Sequence, residues 1–163
     1  MRPVKMWVFA IALAAAAGCT MKPAPLFTTR EIVVDEGLPT VSRENLLNEL
    51  SIYHGVQYQR GGESFDGVDC SGLVRMVFEP LGVRLPRTAA EQFTAGVPVP
   101  EGDIRTGDLI FFGSGVDPDH VGIAVSSEEM VHASSSRGVV LERIDVFGES
   151  EELRGGRRIV SLK

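Results

Sequence analysis

The sequence predicts an α+β domain, with N-terminal helices packed on an antiparallel sheet or partial barrel. Three observations carry this. Between residues 42 and 93, apolar residues recur at helical spacing and each run is bracketed by capping and stop residues. Beyond Gly107 the pattern switches to short apolar or alternating runs separated by Gly, Ser, Asp and Pro. At 163 residues the chain is long enough for one domain whose core needs no disulfide staples.

The chain opens with Arg2 and Lys5, an apolar run over residues 6–17, then Gly18 and Cys19. A basic start, a short apolar stretch and small residues read as a secretory signal over residues 1–18. The run is too short to span a bilayer, which takes about 20 apolar residues. Ala16-Ala17-Gly18-Cys19 resembles a bacterial lipobox. That resemblance implies cleavage before Cys19, a diacylglycerol on its sulfur and an acylated amine, palmitate being a typical chain. Several acyl chains anchor stably, because each buried CH₂ adds about 0.8 kcal/mol. Thr20 follows, without the Asp that favours inner-membrane retention in enterobacteria. The expected location is the cell envelope after export, on the outer membrane facing the periplasm if the source is Gram-negative. Residues 19–40 carry Pro23, Pro25 and Pro39 with no clear period and read as a tether, which leaves 41–163 as the folded domain.

Within that domain, Ser42 can cap a helix whose apolar positions are Leu46, Leu47, Leu50 and Tyr53, with Gly55 ending it. A Gly-rich loop follows over 56–68. A second helix is expected from Asp69–Cys70, burying Leu73, Val74, Val77, Phe78 and Leu81, with Pro80 and Gly82 as the stop. Thr88 and Glu91 form a capping box for a short third helix through Phe93. The expected strands are 109–112, 121–125, 130–133, 139–143 and 157–162.

The charge balance excludes one class of partner. There are 16 basic and 22 acidic residues, a formal net charge of -6, and two of the basic residues lie in the leader. Nucleic-acid affinity comes mostly from Lys and Arg on phosphates, so no nucleic-acid partner is expected.

The chain has two cysteines. They could form a disulfide, but if Cys19 is lipidated then Cys70 is left alone in an exported protein, either reactive or buried. In Asp69-Cys70-Ser71-Gly72 the cysteine starts an amphipathic helix. A helix N-terminus, with its partial positive charge and free N–H groups, favours the nucleophilic thiolate and can receive an oxyanion. An inert buried cysteine fits that quartet equally well.

The three histidines tilt the balance. His120 heads one expected strand and His132 lies in the next. If these pair through the 126–129 turn, both rings reach one end of the sheet, where the Cys70 helix could dock. A nucleophile, a base, and a group that orients the base make up the logic of an activated triad.

Several segments, in order, resemble the NlpC family of cell-wall cysteine peptidases. They are Gly55-Val56-Gln57-Tyr58-Gln59-Arg60-Gly61-Gly62, Asp69-Cys70-Ser71-Gly72-Leu73-Val74, Leu85-Pro86-Arg87-Thr88 with Glu91-Gln92, Gly107-Asp108-Leu109-Ile110-Phe111-Phe112, His120-Val121-Gly122-Ile123 and His132-Ala133. The resemblance spans nearly everything after Ser42. It implies a papain-like α+β fold in permuted order, Cys70, His120 and His132 as a catalytic triad, and peptidoglycan stem peptides or their cross-links as substrate. The leader and single domain look like the small lipoprotein branch of that family, close to the murein endopeptidases that cut cross-links.

The same resemblance places Tyr58 near the nucleophile, where its hydroxyl could support an oxyanion or substrate, or simply pack. Asp69 caps the Cys70 helix or touches substrate. Arg87 could clamp a carboxylate with its fork or lie on the surface. Ser71 reads as a helix-start residue rather than a reactant, and His54 as a residue favouring its helix's C-terminus. Asp117, Asp119 and His120 could suggest a metal, but no further ligand cluster accompanies them, so neither metal nor cofactor is expected. Two other outcomes stay open on sequence alone: a non-enzymatic envelope lipoprotein that binds through this fold, and a wall amidase or acyltransferase on a related one.

Overall fold

The computed structural model describes residues 37–163. The expected signal over 1–18, Cys19 and most of the expected tether lie outside the described residues.

The elements run as follows. A two-residue strand β1 (Thr40–Val41) precedes helix α1 (Arg43–Ile52). A small hairpin of β2 (Glu63–Ser64) and β3 (Gly67–Val68) leads into α2 (Cys70–Phe78) and α3 (Ala89–Gln92). Then come β4 (Val97–Val99), a 3₁₀ turn (Glu101–Asp103), β5 (Leu109–Phe112), β6 (His120–Ala124), β7 (Glu129–Ser134), β8 (Gly138–Arg143), α4 (Ile144–Gly148), β9 (Leu153–Arg158) and β10 (Ser161–Leu162). Two-residue strands and the short α4 apart, the helices α1–α3 precede the strands of the main sheet, which is the α+β order the sequence predicts.

Local chemistry explains the helix starts. Ser42 caps α1 by accepting the Asn45 N–H, and Leu46 and Leu50 turn inward. Asp69 caps α2 by accepting the Gly72 N–H, and the stripe of Leu73, Val74, Val77 and Phe78 is buried. Each such side chain contributes about 1.5–3 kcal/mol on burial. Both halves of the Thr88–Glu91 capping box are formed.

Six strands make one antiparallel sheet in the order β4-β9-β5-β6-β7-β8. Strand β5 lies inside it and is buried along its whole length. Leu109 and Phe111 join the core shared with α1 and α2, while Ile110 and Phe112 join a second core with Val99, Met130 and Ile144. This is why β5 reads as continuous apolar residues rather than as an alternation. Arg158 and Asp108 pin β9 beside β5 through a buried bidentate pair, 2.8 Å at each contact.

One expected strand divides. Residues 157–162 were expected as a single strand, but β9 ends at Arg158 and β10 begins at Ser161. Ile159 and Val160 both enter the core shared with the helices. Successive residues of a strand point to opposite faces, so two in a row cannot both do this without a break. Beyond the break, β10 pairs in parallel with β1, and Ser161 donates to the carbonyl of Pro39. Pro39 and Thr40, the last residues of the expected tether, therefore lie against the domain.

Candidate active site

Cys70 is the first residue of α2, a free thiol only 8% exposed. Around it lies a polar lattice. The Asp69 carboxylate accepts the N–H groups of Gly72 (2.7 Å) and Gly61 (3.0 Å), which ties the preceding loop to the helix start. Gly72 has to be glycine, since a Cβ there would stand 2.2 Å from the carbonyl oxygen of Gly62. Arg87 grips both oxygens of Asp69, at 3.1 and 2.6 Å, and donates to Ser71 Oγ at 3.0 Å. Its Nε also lies 3.5 Å from the Glu63 carboxylate. Of the two roles the sequence leaves open for Arg87, a carboxylate clamp or a surface position, the fork is here engaged with Asp69, Ser71 and Glu63. Ser71 is likewise held in this lattice, donating to Asp69 Oδ1 at 3.3 Å. Burial alone would raise the Asp69 carboxyl, but Arg87 and the two N–H groups outweigh it and hold it below its ordinary value.

The thiol's state differs from the expectation. The helix N-terminus was expected to favour thiolate; burial instead pushes the Cys70 thiol up, and the nearby Asp69 charge adds to the rise. The N–H groups of Val121, Ser71 and Cys70 pull the other way without prevailing. The S–H donates to the carbonyl of Asp119, at 3.7 Å, the residue before His120.

The hairpin of β6 and β7 forms as expected, closed by the Ser126 and Glu129 backbones. His132 pairs with Gly122, so His120 sits two residues further along the same face. A Cβ at Gly122 would stand 2.7 Å from Met130 Sδ and 3.3 Å from His132 Cβ. The rings meet with Nε2 of His120 at 2.9 Å from Nδ1 of His132. Burial pushes His120 down to about 4, and the neighbouring His132 adds to this. His132 is 1% exposed and its ring is also lowered by burial, against the pull of Glu142.

Two residues of this cluster were not singled out in the sequence. Glu142 Oε2 lies 2.9 Å from His132 Nε2 and 2.6 Å from Arg137 Nη2. Strand alternation held the signal: Val140 pairs with His132, so Glu142 shares its face. Phe147, on α4, stacks on His120 at 5.0 Å and meets His132 edge-on at 4.9 Å. Nothing in the local pattern marks α4.

Tyr58 is half-buried and lines two adjoining clefts together with Asp119. One, about 380 Å³, includes Arg60, Cys70, Ser71 and Ala89; the other, about 310 Å³, includes His120, His132, Phe147 and Glu151. Burial raises the Tyr58 hydroxyl, and the Asp69 charge raises it further. A larger cavity of about 460 Å³, among Glu101, Ile104, Glu128, Arg143 and Leu153, contains neither Cys nor His. His54 sits apart from all of these. Among the described residues, no group of three His, Cys, Asp or Glu side chains is placed to hold a metal ion.

Residues 55–158 match the sequence model of the NlpC/P60 family. The murein DD-endopeptidase MepS/murein LD-carboxypeptidase of Escherichia coli is 35% identical over 120 residues, 73% of this chain but only 64% of that protein. The probable endopeptidase NlpC of Escherichia coli is 32% identical over 146 residues, 88% of this chain and 92% of that one. Among solved structures, an NlpC/P60 family protein from Bacillus cereus matches with a TM-score of 0.70 at 30% identity, covering 76% of this chain and 42% of that chain.

Proposed function

The chain belongs to the NlpC/P60 family, and from that membership we propose that it is a cysteine peptidase that hydrolyses peptide bonds in peptidoglycan stem peptides or their cross-links. The observation that carries the proposal is the hydrogen bond between His120, the first residue of β6, and His132 on β7, with the Cys70 thiol held by the carbonyl of Asp119, the residue just before His120.

In this mechanism Cys70 is the nucleophile, His120 the base and His132 its orienter. Cys70 and His120 rest as a neutral pair, because burial raises one and lowers the other. Substrate entry into the Tyr58 cleft brings a carbonyl to the sulfur, and the S–H turns from Asp119 to the free nitrogen of His120. As sulfur attacks, His120 takes the proton. The N–H groups of Cys70 and Ser71 point toward the sulfur at the helix start and can receive the oxyanion, with the Tyr58 hydroxyl beside them. His120 then gives its proton to the leaving amine, and water cleaves the thioester by the same route.

The test is digestion of purified sacculi, read by mass spectrometry of the released muropeptides. Cut peptides from the wild type and none from Cys70→Ala are expected. Freed intact stems or transferred acyl groups would identify an amidase or acyltransferase, and no change in any product would mark a binding protein.

We also propose that Cys19 is lipidated and holds the domain at the envelope membrane. The leader composition and lipobox-like Ala16-Ala17-Gly18-Cys19 support this. Palmitate labelling of wild type but not of Cys19→Ala is the expected result, and labelling of both would refute it.

A further inference from the structure

Resting on the reading of Cys70 and His120 as nucleophile and base, we propose that Glu142 is a positioning residue whose carboxylate, held by Arg137, fixes the tautomer of His132 and through it that of His120.

An ionised carboxylate can only accept hydrogen bonds. Glu142 is kept ionised because Arg137 and His132 outweigh the effect of burial. The nitrogen 2.9 Å from it, His132 Nε2, must therefore carry the hydrogen. In a neutral ring Nδ1 is then bare and accepts, so the contact at 2.9 Å is a donation from His120 Nε2–H. A neutral His120 with its hydrogen on Nε2 has a lone pair on Nδ1, which is what a base facing a thiol needs.

The opposite tautomer would undo this. With the hydrogen on His132 Nδ1, two acceptors would face each other at 2.9 Å between Nε2 and the carboxylate. His120 Nε2 would accept, its hydrogen would sit on Nδ1, and the base would be blocked. His132 is 1% exposed, so water does not mask the difference. The groups around Glu142 agree: His132 from β7, Arg137 from the turn into β8, and Met130 opposite it, which is uncharged. Glu151 lines the cleft beside the histidines but bonds to neither ring. When His120 accepts the thiol proton, its Nε2–H stays on His132 and the Glu142 charge lies behind the new imidazolium. Arg137 is half-exposed and reaches Glu142 from solvent, so it acts as a stay for the carboxylate rather than as part of the relay.

The experiment is ¹⁵N NMR of the histidine side chains in the purified protein near pH 7, with no substrate present. In wild type, His120 and His132 should both carry hydrogen on Nε2. In Glu142→Leu, His132 should lose that preference and His120 should follow; Glu142→Ala reads the same way should Leu prevent folding. Glu142→Gln should keep the wild-type tautomers, because its amide oxygen still accepts. Muropeptide release should fall by about 10- to 100-fold in Glu142→Leu, the range seen when an orienting partner is lost. In Glu142→Gln the loss should be under about tenfold. Unchanged tautomers in both Glu142→Leu and Glu142→Ala would overturn the inference, as would Gln being as damaging as Leu. The spectra need no substrate, so a wild type without peptidase activity would refute the proposed function while the NMR still decided the role of Glu142.

Discussion

At the scale of single residues, the chemistry turns on burial. His120 is held down to about 4 chiefly by desolvation, and Phe147 covers its ring. As the proposed base, His120 is then neutral and available well below the ordinary imidazole range. The acid limb of kcat/KM for peptide release should therefore lie near pH 4 rather than near 6.5. Phe147→Ala admits water and should move that limb upward; a limb already at 6.5 in the wild type would remove burial as the cause. Within the triad, His120→Ala should be nearly as inactive as Cys70→Ala. His132→Gln should keep partial activity, since its amide oxygen can accept from His120 Nε2–H. If His132→Gln were dead and His120→Ala active, the two roles would be exchanged. The placing of Cys70 at a helix start and of His120 beside His132 was legible in the sequence, because a capped helix and a hairpin whose pairing can be read position them. Glu142 was not, because its role depends on register across β7 and β8 rather than on its own neighbours.

At the scale of elements, the setting of the proposed nucleophile depends on how closely a loop can approach a helix. Gly72 lets the Gly62 carbonyl lie over the first turn of α2, where Asp69 ties Gly61 to the helix start. Gly72→Ala forces backbone apart, so a loss of about 1–3 kcal/mol is expected. Peptide release should fall further than stability, because the Cys70 backbone moves with the loop. Gly148→Ala, whose added methyl meets nothing within 4 Å, is the control and should change little in a urea titration. The helices with caps and stripes were readable. The two-residue strands β1, β2 and β3 were not, since β1 is specified by its distant partner β10 and the β2–β3 hairpin falls in a Gly-rich loop too short to show an alternation. Nor was α4, whose five residues carry no period to read.

For the whole molecule, the buried histidines link stability to pH. A ring whose pKa is lower in the fold than its ordinary 6.5 opposes protonation of the native state. The stability it supports is complete above pH 6.5 and is lost as pH falls from 6.5 to about 4. For His120 the loss is on the order of 3 kcal/mol, with His132 acting in the same direction. Glu142 and Asp69, held below their ordinary values, add a further loss only at lower pH. The melting temperature should therefore drop between pH 6.5 and 4, and less steeply in His120→Gln; equal slopes would show that His120 is not the linked group. The α+β class was legible because helix-period and strand-period segments are separated in the chain, whereas the departure of Ile159 and Val160 from the sheet depends on a core formed by distant helices.

The three consecutive strands β6, β7 and β8 have a consequence in time. His120 and His132 are 12 residues apart and His132 and Glu142 only 10, whereas 49 separate Cys70 from the carbonyl that receives its thiol. Short loops close at lower entropic cost and faster than long ones. During folding the proposed relay of His120, His132 and Glu142 can assemble as a local meander before α2 docks on it. The thiol is open to solvent until that docking and shielded after it. In a refolding experiment, an early pulse of iodoacetamide should mark Cys70 heavily and a late pulse hardly at all. The burial that quiets the sulfur in the resting state is thus also the last step of its concealment.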